Sequence, residues 1–245
     1  MKHFKNFKTC VYCIAQTLAS LDETTLARDY AYLEKYVGID KVYLETYRDG
    51  TWVAIDHMKM IQNFFKKHGV EIAGGITTVT PPLEKDDVKR QRLFQTFCYS
   101  NEAMRTYLKK IVTYTAELFD EIILDDFFFT SCTCDDCLRE RSNLSWAEFR
   151  SKKMIDVAEN LVLKPAKLAN PSVKVTIKYP NWRESYHETG YVPKIQPSMF
   201  DKIYTGTETR NTAHTDQHLP RYLSYSIMRY MEHVAPGRNG GGWFD

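Results

Sequence analysis

The segment DEIILDDFFF, residues 120–129, combines the features that decide the fold. Its short apolar run, Ile122–Leu124, suits a strand that is covered on both faces. The run follows a helical pattern, Asn101–Leu118, and ends on two acidic residues, Asp125 and Asp126. A buried strand that follows a helix and ends on polar residues is typical of one unit in a parallel α/β sheet.

The same unit recurs along the chain in both directions. The predicted strands are Thr9–Ile14, Lys41–Thr46, Val70–Thr78, Glu121–Asp126, Val173–Tyr179, Phe200–Thr207 and Gly240–Asp245. The predicted helices are Glu23–Val37, a helix capped by Asp56 and running through Lys67, Asn101–Leu118, Trp146–Leu168 with an interruption at Pro165, and Leu219–His233. Strands separated by helices indicate parallel pairing with right-handed crossovers.

Seven strand starts in 245 residues fit a TIM-type (β/α)8 barrel better than an open, doubly wound α/β sheet. No glycine-rich phosphate loop follows the first strand, which argues against a dinucleotide-binding fold. We therefore predict a single (β/α)-barrel domain over residues 1–245. Because only seven strands are found, we expect the barrel to be truncated after strand seven and to lack its last βα unit.

The composition excludes several classes of protein. The 33 basic and 31 acidic residues nearly cancel, so the chain lacks the basic footprint of a nucleic-acid binder. No apolar run approaches the roughly 18 residues of a membrane span. The N-terminal apolar run is broken by Gln16 and Thr17, unlike a signal peptide. We expect neither nucleic-acid nor membrane partners, and this pattern favours a cytoplasmic location.

Polar side chains stand at the C-terminal ends of six predicted strands, where a barrel forms its active site. The carboxylates among them are Glu45, Asp125, Asp126, Glu208 and Asp245. The other polar or aromatic candidates are Arg48, Lys178, Tyr179, Asn181, Trp182, Arg210 and Trp243, and the third strand ends on Thr77 and Thr78. One strand-end carboxylate alone is as often a helix cap or an ion-pair partner, but six polar ends together predict a functional site. Because side chains alternate along a strand, only one of Asp125 and Asp126 is expected to face the barrel axis.

The cysteines form a second pattern. Cys132, Cys134 and Cys137 form C-x-C-x-x-C directly after the fourth predicted strand, and Cys98 follows the third. Four thiolates from adjacent loops could hold a structural Zn²⁺ in a closed tetrahedral site. The alternatives are ordinary thiols, or a disulfide such as Cys132–Cys137.

Several segments together resemble a group of bacterial proteins described as glycoside hydrolase-like barrels. They are KVYLETYRDG, GGITT, EIILDDFFFTSCTCDDC, VTIKYPNW, YTGTETR and GRNGGGWFD, which start at residues 41, 74, 121, 175, 204 and 237. The resemblance implies a glycosidase with a carbohydrate substrate, active in carbohydrate metabolism without a cofactor in its chemistry. The D-x-x-x-x-D spacing of Asp120 and Asp125 also resembles strand four of several retaining glycosidase barrels, in which the second Asp is the nucleophile.

A glycosidase needs one ionised carboxylate and one that carries a proton. The resemblance makes Asp125, or Asp126, the nucleophile candidate. Glu208 is the acid/base candidate, because it lies two strands from Asp125 and is therefore expected on the opposite wall of the barrel. The substrate contacts are assigned to Glu45, Arg48, Lys178, Tyr179, Asn181, Trp182, Arg210, Trp243 and Asp245. Arg210 could also keep a carboxylate ionised.

The four-cysteine pattern resembles the structural zinc site of the family forty-two β-galactosidases. Those enzymes carry an Asn-Glu pair on strand four and a nucleophilic Glu on strand seven, where this chain has Asp125–Asp126 and Asp245. Two other functions stay open: a barrel that binds carbohydrate without cleaving it, and a metal-dependent hydrolase. The second would use His214 and His218, four residues apart, together with the acidic strand ends.

Overall fold

The computed structural model describes residues 4–208 and 222–243. The strands are β1 (Cys10–Cys13), β2 (Lys41–Arg48), β3 (Thr51–Trp52), β4 (Glu71–Ile76), β5 (Glu121–Leu124), β6 (Lys174–Tyr179), β7 (Lys202–Gly206) and β8 (Asn239–Trp243). Seven of them pair in parallel in the order β1-β2-β4-β5-β6-β7-β8, and the short β3 pairs with β2 in the antiparallel direction. Each predicted strand is therefore confirmed.

Helices connect these strands and pack on the outside of the sheet. They are α1 (Ala15–Ser20), α2 (Glu23–Tyr36), α3 (Ile55–Lys67), α4 (Asp86–Lys89), α5 (Glu102–Leu118), α6 (Asp135–Arg141), α7 (Trp146–Val157), α8 (Lys164–Ala169), α9 (Tyr186–Thr189), α10 (Gln196–Met199) and α11 (Leu223–Val234). None of the described helices has both the length and the apolar character needed to cross a membrane.

The helix boundaries follow local capping chemistry. Asn101 caps α5 by accepting a hydrogen bond from the Met104 N–H at 3.1 Å, as predicted. The predicted cap Asp56 is wrong, because the residue before α3 is Ala54 and Asp56 lies inside the first turn. A carboxylate in that turn still interacts favourably with the helix dipole.

The predicted helix over residues 146–168 is observed as α7, a π-helical segment, Ala158–Leu163, and α8. Pro165 stands just after the π segment. A proline has no N–H to donate, and its ring collides with the carbonyl four residues earlier. Widening of the helix before Pro165 accommodates that collision, so the chain continues as a helix instead of breaking.

The sheet curves into a TIM-type barrel of seven parallel strands, with β1 and β8 at its two edges. Tyr12 of β1 and Trp243 of β8 lie with their ring centroids 5.2 Å apart, so side chains of the two edges meet inside the curve. Tyr43 and Tyr204 fill the space below them, with centroids 6.0 Å apart. The larger apolar core lies between the strands and the helices.

Candidate active site at the C-terminal ends of the strands

Lys178, at the end of β6, contacts three carboxylates. Its Nζ lies 3.3 Å from Asp125 Oδ1, 3.0 Å from Asp126 Oδ2 and 2.6 Å from Glu208 Oε1. The Lys178 side chain is only 4% exposed. The structure therefore brings together, in one buried cluster, the three acidic residues that the sequence singles out.

Both aspartates reach this cluster because β5 ends one residue before them, at Leu124. The expectation that only one of Asp125 and Asp126 could face the pocket is wrong, since alternation applies only within a strand. Beyond Leu124 the backbone turns, and the Phe128 N–H donates to the Asp125 carbonyl at 3.1 Å. The Asp126 N–H also donates to Asp125 Oδ1 at 2.9 Å, which holds the two carboxylates in a fixed relation.

Arg48, at the end of β2, supplies a second cation to Asp125. Its Nη2 lies 2.9 Å from Asp125 Oδ2 and donates to Thr77 Oγ1 at 2.9 Å. Its Nε pairs with the fully buried Glu45 at 2.9 Å. Glu45 also accepts hydrogen bonds from the Tyr12 hydroxyl and the Ala15 N–H, both at 2.7 Å. Protein groups thus occupy both oxygens of the Glu45 carboxylate, and its role in the site is to orient Arg48.

The two aspartates have opposite pKa shifts. Burial disfavours ionisation of Asp125, but the charges of Lys178 and Arg48 outweigh it and lower the pKa of Asp125 below its ordinary value. Burial and the charge of Asp125 raise the pKa of Asp126 to about 7, against the attraction of Lys178. Neighbouring groups whose pKa values are driven apart are typical of sites that use one carboxylate as a base and another as an acid.

Glu208 follows β7 and is almost fully buried, at 2% exposure. A Cβ atom at Gly206 would lie 2.7 Å from Glu208 Oε2, so the glycine leaves the space that this carboxylate occupies. Asn181 donates from Nδ2 to the Glu208 carbonyl at 2.9 Å. Asn181 therefore holds the backbone of Glu208, and this contact uses the amide that was assigned to the substrate.

The three aromatic candidates lie in different places. The Trp243 ring lies over the Lys178 ammonium, 4.1 Å from Nζ to the ring centroid, and so forms one wall of the cluster. Trp182 is partly buried and packs on Phe129, with centroids 5.4 Å apart. The assignment of Tyr179 to the substrate is wrong, because this residue is fully buried in the outer core. It neighbours Lys178 on β6, so the two side chains face opposite sides of the sheet.

Four candidates, Arg210, His214, His218 and Asp245, lie outside the described residues. Tyr12 also belongs to the site, although the sequence analysis does not predict it, because β1 ends in apolar residues and not in charged ones. Its hydroxyl donates to Glu45 and its ring packs on Trp243. The sequence signal for Tyr12 is its position one residue before the end of β1, because every second residue of a strand faces the inside of the barrel.

A family model described as "Probable glycosyl hydrolase, catalytic domain" matches residues 1–245. The chain belongs to this family. The predicted glycosidase class and barrel fold agree with that membership. A protein of Saccharolobus solfataricus that carries the name "uncharacterized" is 32% identical over 265 residues, covering 98% of this chain and 43% of its own length. This glycosyl hydrolase domain thus spans less than half of that relative.

Among solved structures, the domain is similar to a β-D-glucuronidase from Dictyoglomus thermophilum. The TM-score is 0.54 and the sequence identity 12%, over 98% of this chain and 35% of the other. At this identity the similarity shows the barrel fold alone.

The glycosyl hydrolase domain also carries a cluster of four cysteines beside the site. The Sγ atoms of Cys98, Cys132, Cys134 and Cys137 all lie within 4.8 Å of one another. Cys98 Sγ is 3.7 Å from both Cys134 Sγ and Cys137 Sγ. A tetrahedral zinc with Zn–S bonds of about 2.3 Å separates its sulfurs by about 3.8 Å, so this arrangement fits a metal. All four are free thiols, which excludes the Cys132–Cys137 disulfide in this structure.

Proposed function

We propose that this chain is a retaining glycoside hydrolase domain that acts on a glycan, with Asp125 as the nucleophile and Glu208 as the acid/base. The observation that carries the proposal is that Asp125 Oδ1 and Glu208 Oε1 share the Lys178 ammonium, at 3.3 and 2.6 Å. The two oxygens are therefore at most about 6 Å apart, which is below the roughly 6.5–9.5 Å of inverting glycosidases and compatible with the roughly 5–5.5 Å of retaining ones.

In the first step, ionised Asp125 attacks the anomeric carbon while the acid gives its proton to the glycosidic oxygen, which leaves as an alcohol. The product is a glycosyl ester on Asp125. In the second step, water attacks the same carbon and gives a proton to the now ionised acid/base, which frees the sugar and restores Asp125. Lys178 and Arg48 support this role, because they keep Asp125 ionised for the attack.

Asp126 is a second candidate for the acid. Its pKa of about 7 lets it hold a proton at neutral pH, and it lies in the same cluster, 3.0 Å from Lys178 Nζ. Asp126 and Glu208 are distinguished by how strongly each is needed for substrates whose leaving groups differ in basicity. A poor leaving group needs the proton, whereas a good one departs without it.

The test uses Asp125→Asn, Asp126→Asn and Glu208→Gln on phenyl and 2,4-dinitrophenyl glycosides of several sugars. Asp125→Asn should abolish turnover of both series. Loss of the acid should slow hydrolysis of the phenyl glycosides by about 10²–10⁴-fold and spare the dinitrophenyl glycosides. The variant that shows this split identifies the acid.

Full activity in all three variants would refute the carboxylate roles. A wild-type chain that binds the sugars and hydrolyses none of them would instead support a carbohydrate-binding barrel.

We also propose that the four cysteines bind a structural zinc ion. In the described part of the chain, the residues grouped closely enough to hold a metal are cysteines alone, and a closed thiolate site leaves no position for substrate. The Arg92 guanidinium supports an anionic centre, since its Nη1 lies 3.9 Å from Cys132 Sγ and its side chain is 2% exposed.

A further inference from the structure

Phe94 presents an exposed phenyl ring close to the site. It lies on the loop that follows β4, and it is 59% exposed. Its ring meets Phe127 edge to face, with centroids 5.2 Å apart and planes at 75°. Phe127 directly follows Asp126 in the chain, so this aromatic pair begins where the carboxylate cluster ends.

The pair is continuous with the charged groups of the site. The Arg48 guanidinium carbon lies 5.7 Å from the Phe127 ring centroid, and Arg48 Nη2 lies 2.9 Å from Asp125 Oδ2. The Phe127 backbone is held by Thr78, whose hydroxyl donates to the Phe127 carbonyl at 2.8 Å. One surface therefore runs from Phe94 over Phe127 and Arg48 to the proposed nucleophile.

The backbone at Phe94 is held in an unfavourable conformation. Phe94 has φ 51° and ψ 21°, and Gln95 follows with φ 53°. Residues other than glycine adopt this left-handed conformation at a cost in free energy, and strained backbone of this kind is frequent at functional sites. The turn is kept by the Ser131 hydroxyl, which accepts from the Leu93 N–H at 2.8 Å, and by the Thr80 N–H, which donates to the Gln95 carbonyl at 2.9 Å.

Burial of the Phe94 ring does not offset the free-energy cost of this backbone conformation, because more than half of the residue remains exposed to solvent. We propose that Phe94 and Phe127 form a platform for a second ring of the substrate, next to the sugar that is held at Asp125. The weakly polar C–H face of a pyranose packs well on a phenyl ring, and aromatic surfaces beside a few polar groups are typical of ligand sites. The inference rests on the proposed glycosidase function and names the part of the substrate that the site would hold.

The experiment measures binding to the Asp125→Asn chain, so that it does not depend on turnover. The probes are the methyl and the p-nitrophenyl glycosides of glucose, galactose and glucuronic acid, in both anomeric forms. Each pair shares one sugar and differs in whether a second, flat ring is present. Phe94→Ala should weaken binding of the aryl glycoside about tenfold and leave the methyl glycoside unchanged.

Leu93→Ala is the matched control, because the neighbouring Leu93 is 56% exposed and lies outside the ring pair. It should change the affinity of neither probe, and Phe94→Trp should keep the preference for the aryl glycoside. Equal weakening of both probes by Phe94→Ala, or no preference for the aryl glycosides in the parent chain, would overturn the platform. Failure of the hydrolase proposal would show separately, as a wild-type chain that binds these glycosides without cleaving them.

Discussion

Lys178 allows three acidic side chains to share one buried place. Without the ammonium, Asp125, Asp126 and Glu208 would repel one another, and the attraction of Lys178 would no longer offset their lost hydration. The same three carboxylates raise the pKa of Lys178 against the effect of burial, so that its charge persists at neutral pH. We therefore propose that Lys178 positions the three carboxylates, while the direct substrate contact expected from the sequence stays a prediction.

The raised pKa of Asp126 predicts how stability depends on pH. Its ordinary value is 3.8 and its value in the fold is about 7. Between these values the folded chain keeps a proton that the unfolded chain releases, so the contribution of Asp126 to stability is lost as pH rises from about 4 to about 7. Asp126→Asn lacks this loss. Its free energy of unfolding, relative to wild type, should therefore be higher at pH 8 than at pH 5 in urea denaturation.

Asp125→Asn is the comparison variant, because Asp125 itself stays ionised between pH 5 and pH 8. The pKa of Asp125 is lowered in the fold, so its contribution is present above its ordinary pKa and disappears only in acid. Its charge is also one of the causes that raise the pKa of Asp126, so Asp125→Asn should weaken that shift. Relative to wild type, this variant should therefore show the same pH trend as Asp126→Asn, but a smaller one. A trend in Asp125→Asn as large as that in Asp126→Asn would mean that Asp126 is not the group that keeps the proton.

At the scale of elements, the cysteine cluster joins two loops that lie side by side. Cys98 comes from the loop after β4, and Cys132, Cys134 and Cys137 come from the segment after β5. The first of these loops carries Phe94, and the second segment begins with the two aspartates. A bound metal would brace both loops at the edge where we propose that the substrate binds.

We predict that the purified chain contains about one zinc per molecule, and that Cys98→Ser removes it and lowers the melting temperature. Metal bound to the folded chain alone contributes its binding free energy to stability, so a chelator should have the same effect as the substitution. Elemental analysis and thermal denaturation test this. Cys13→Ser is the control, because Cys13 lies in β1 outside the cluster and its loss should leave the zinc in place.

At the scale of the whole molecule, two adjacent glycines let the layers of the barrel approach one another. A Cβ atom at Gly74 would lie 2.7 Å from Thr115 Cγ2 of α5. A Cβ atom at Gly75 would lie 2.7 Å from the Tyr12 hydroxyl oxygen and 2.9 Å from its ring. Gly74 thus admits the outer helix, and Gly75 admits the ring that spans the inside of the barrel towards Trp243.

Gly75→Ala should therefore destabilise the chain by about 1–3 kcal/mol, as overpacked interiors do. Urea denaturation measures the loss. In a Tyr12→Leu background the atoms that collide are gone, and the same substitution should cost less, since the two effects are coupled. Equal costs in both backgrounds would place the strain elsewhere.

The strand order and the position of the site were accessible from the sequence because both depend on local patterns. Apolar runs such as Ile122–Leu124 mark buried strands, and parallel strands collect their final residues at one face. The side-chain directions beyond a strand end were not accessible. Asp125 and Asp126 both turn to Lys178 because β5 stops at Leu124, and no sequence pattern marks that stop.

By itself, the sequence determined the seven parallel strands, the longer helices between them and the spacing that gathers four cysteines, since each follows from periodicity or short-range spacing. Only the tertiary structure decided which polar residues work together. In the fold, Tyr179 points into the outer core, the Glu45 carboxylate is bound by protein groups, and Lys178 lies among three carboxylates. These outcomes depend on contacts between residues far apart in the chain, which form only once the sheet has curved and brought its strands together.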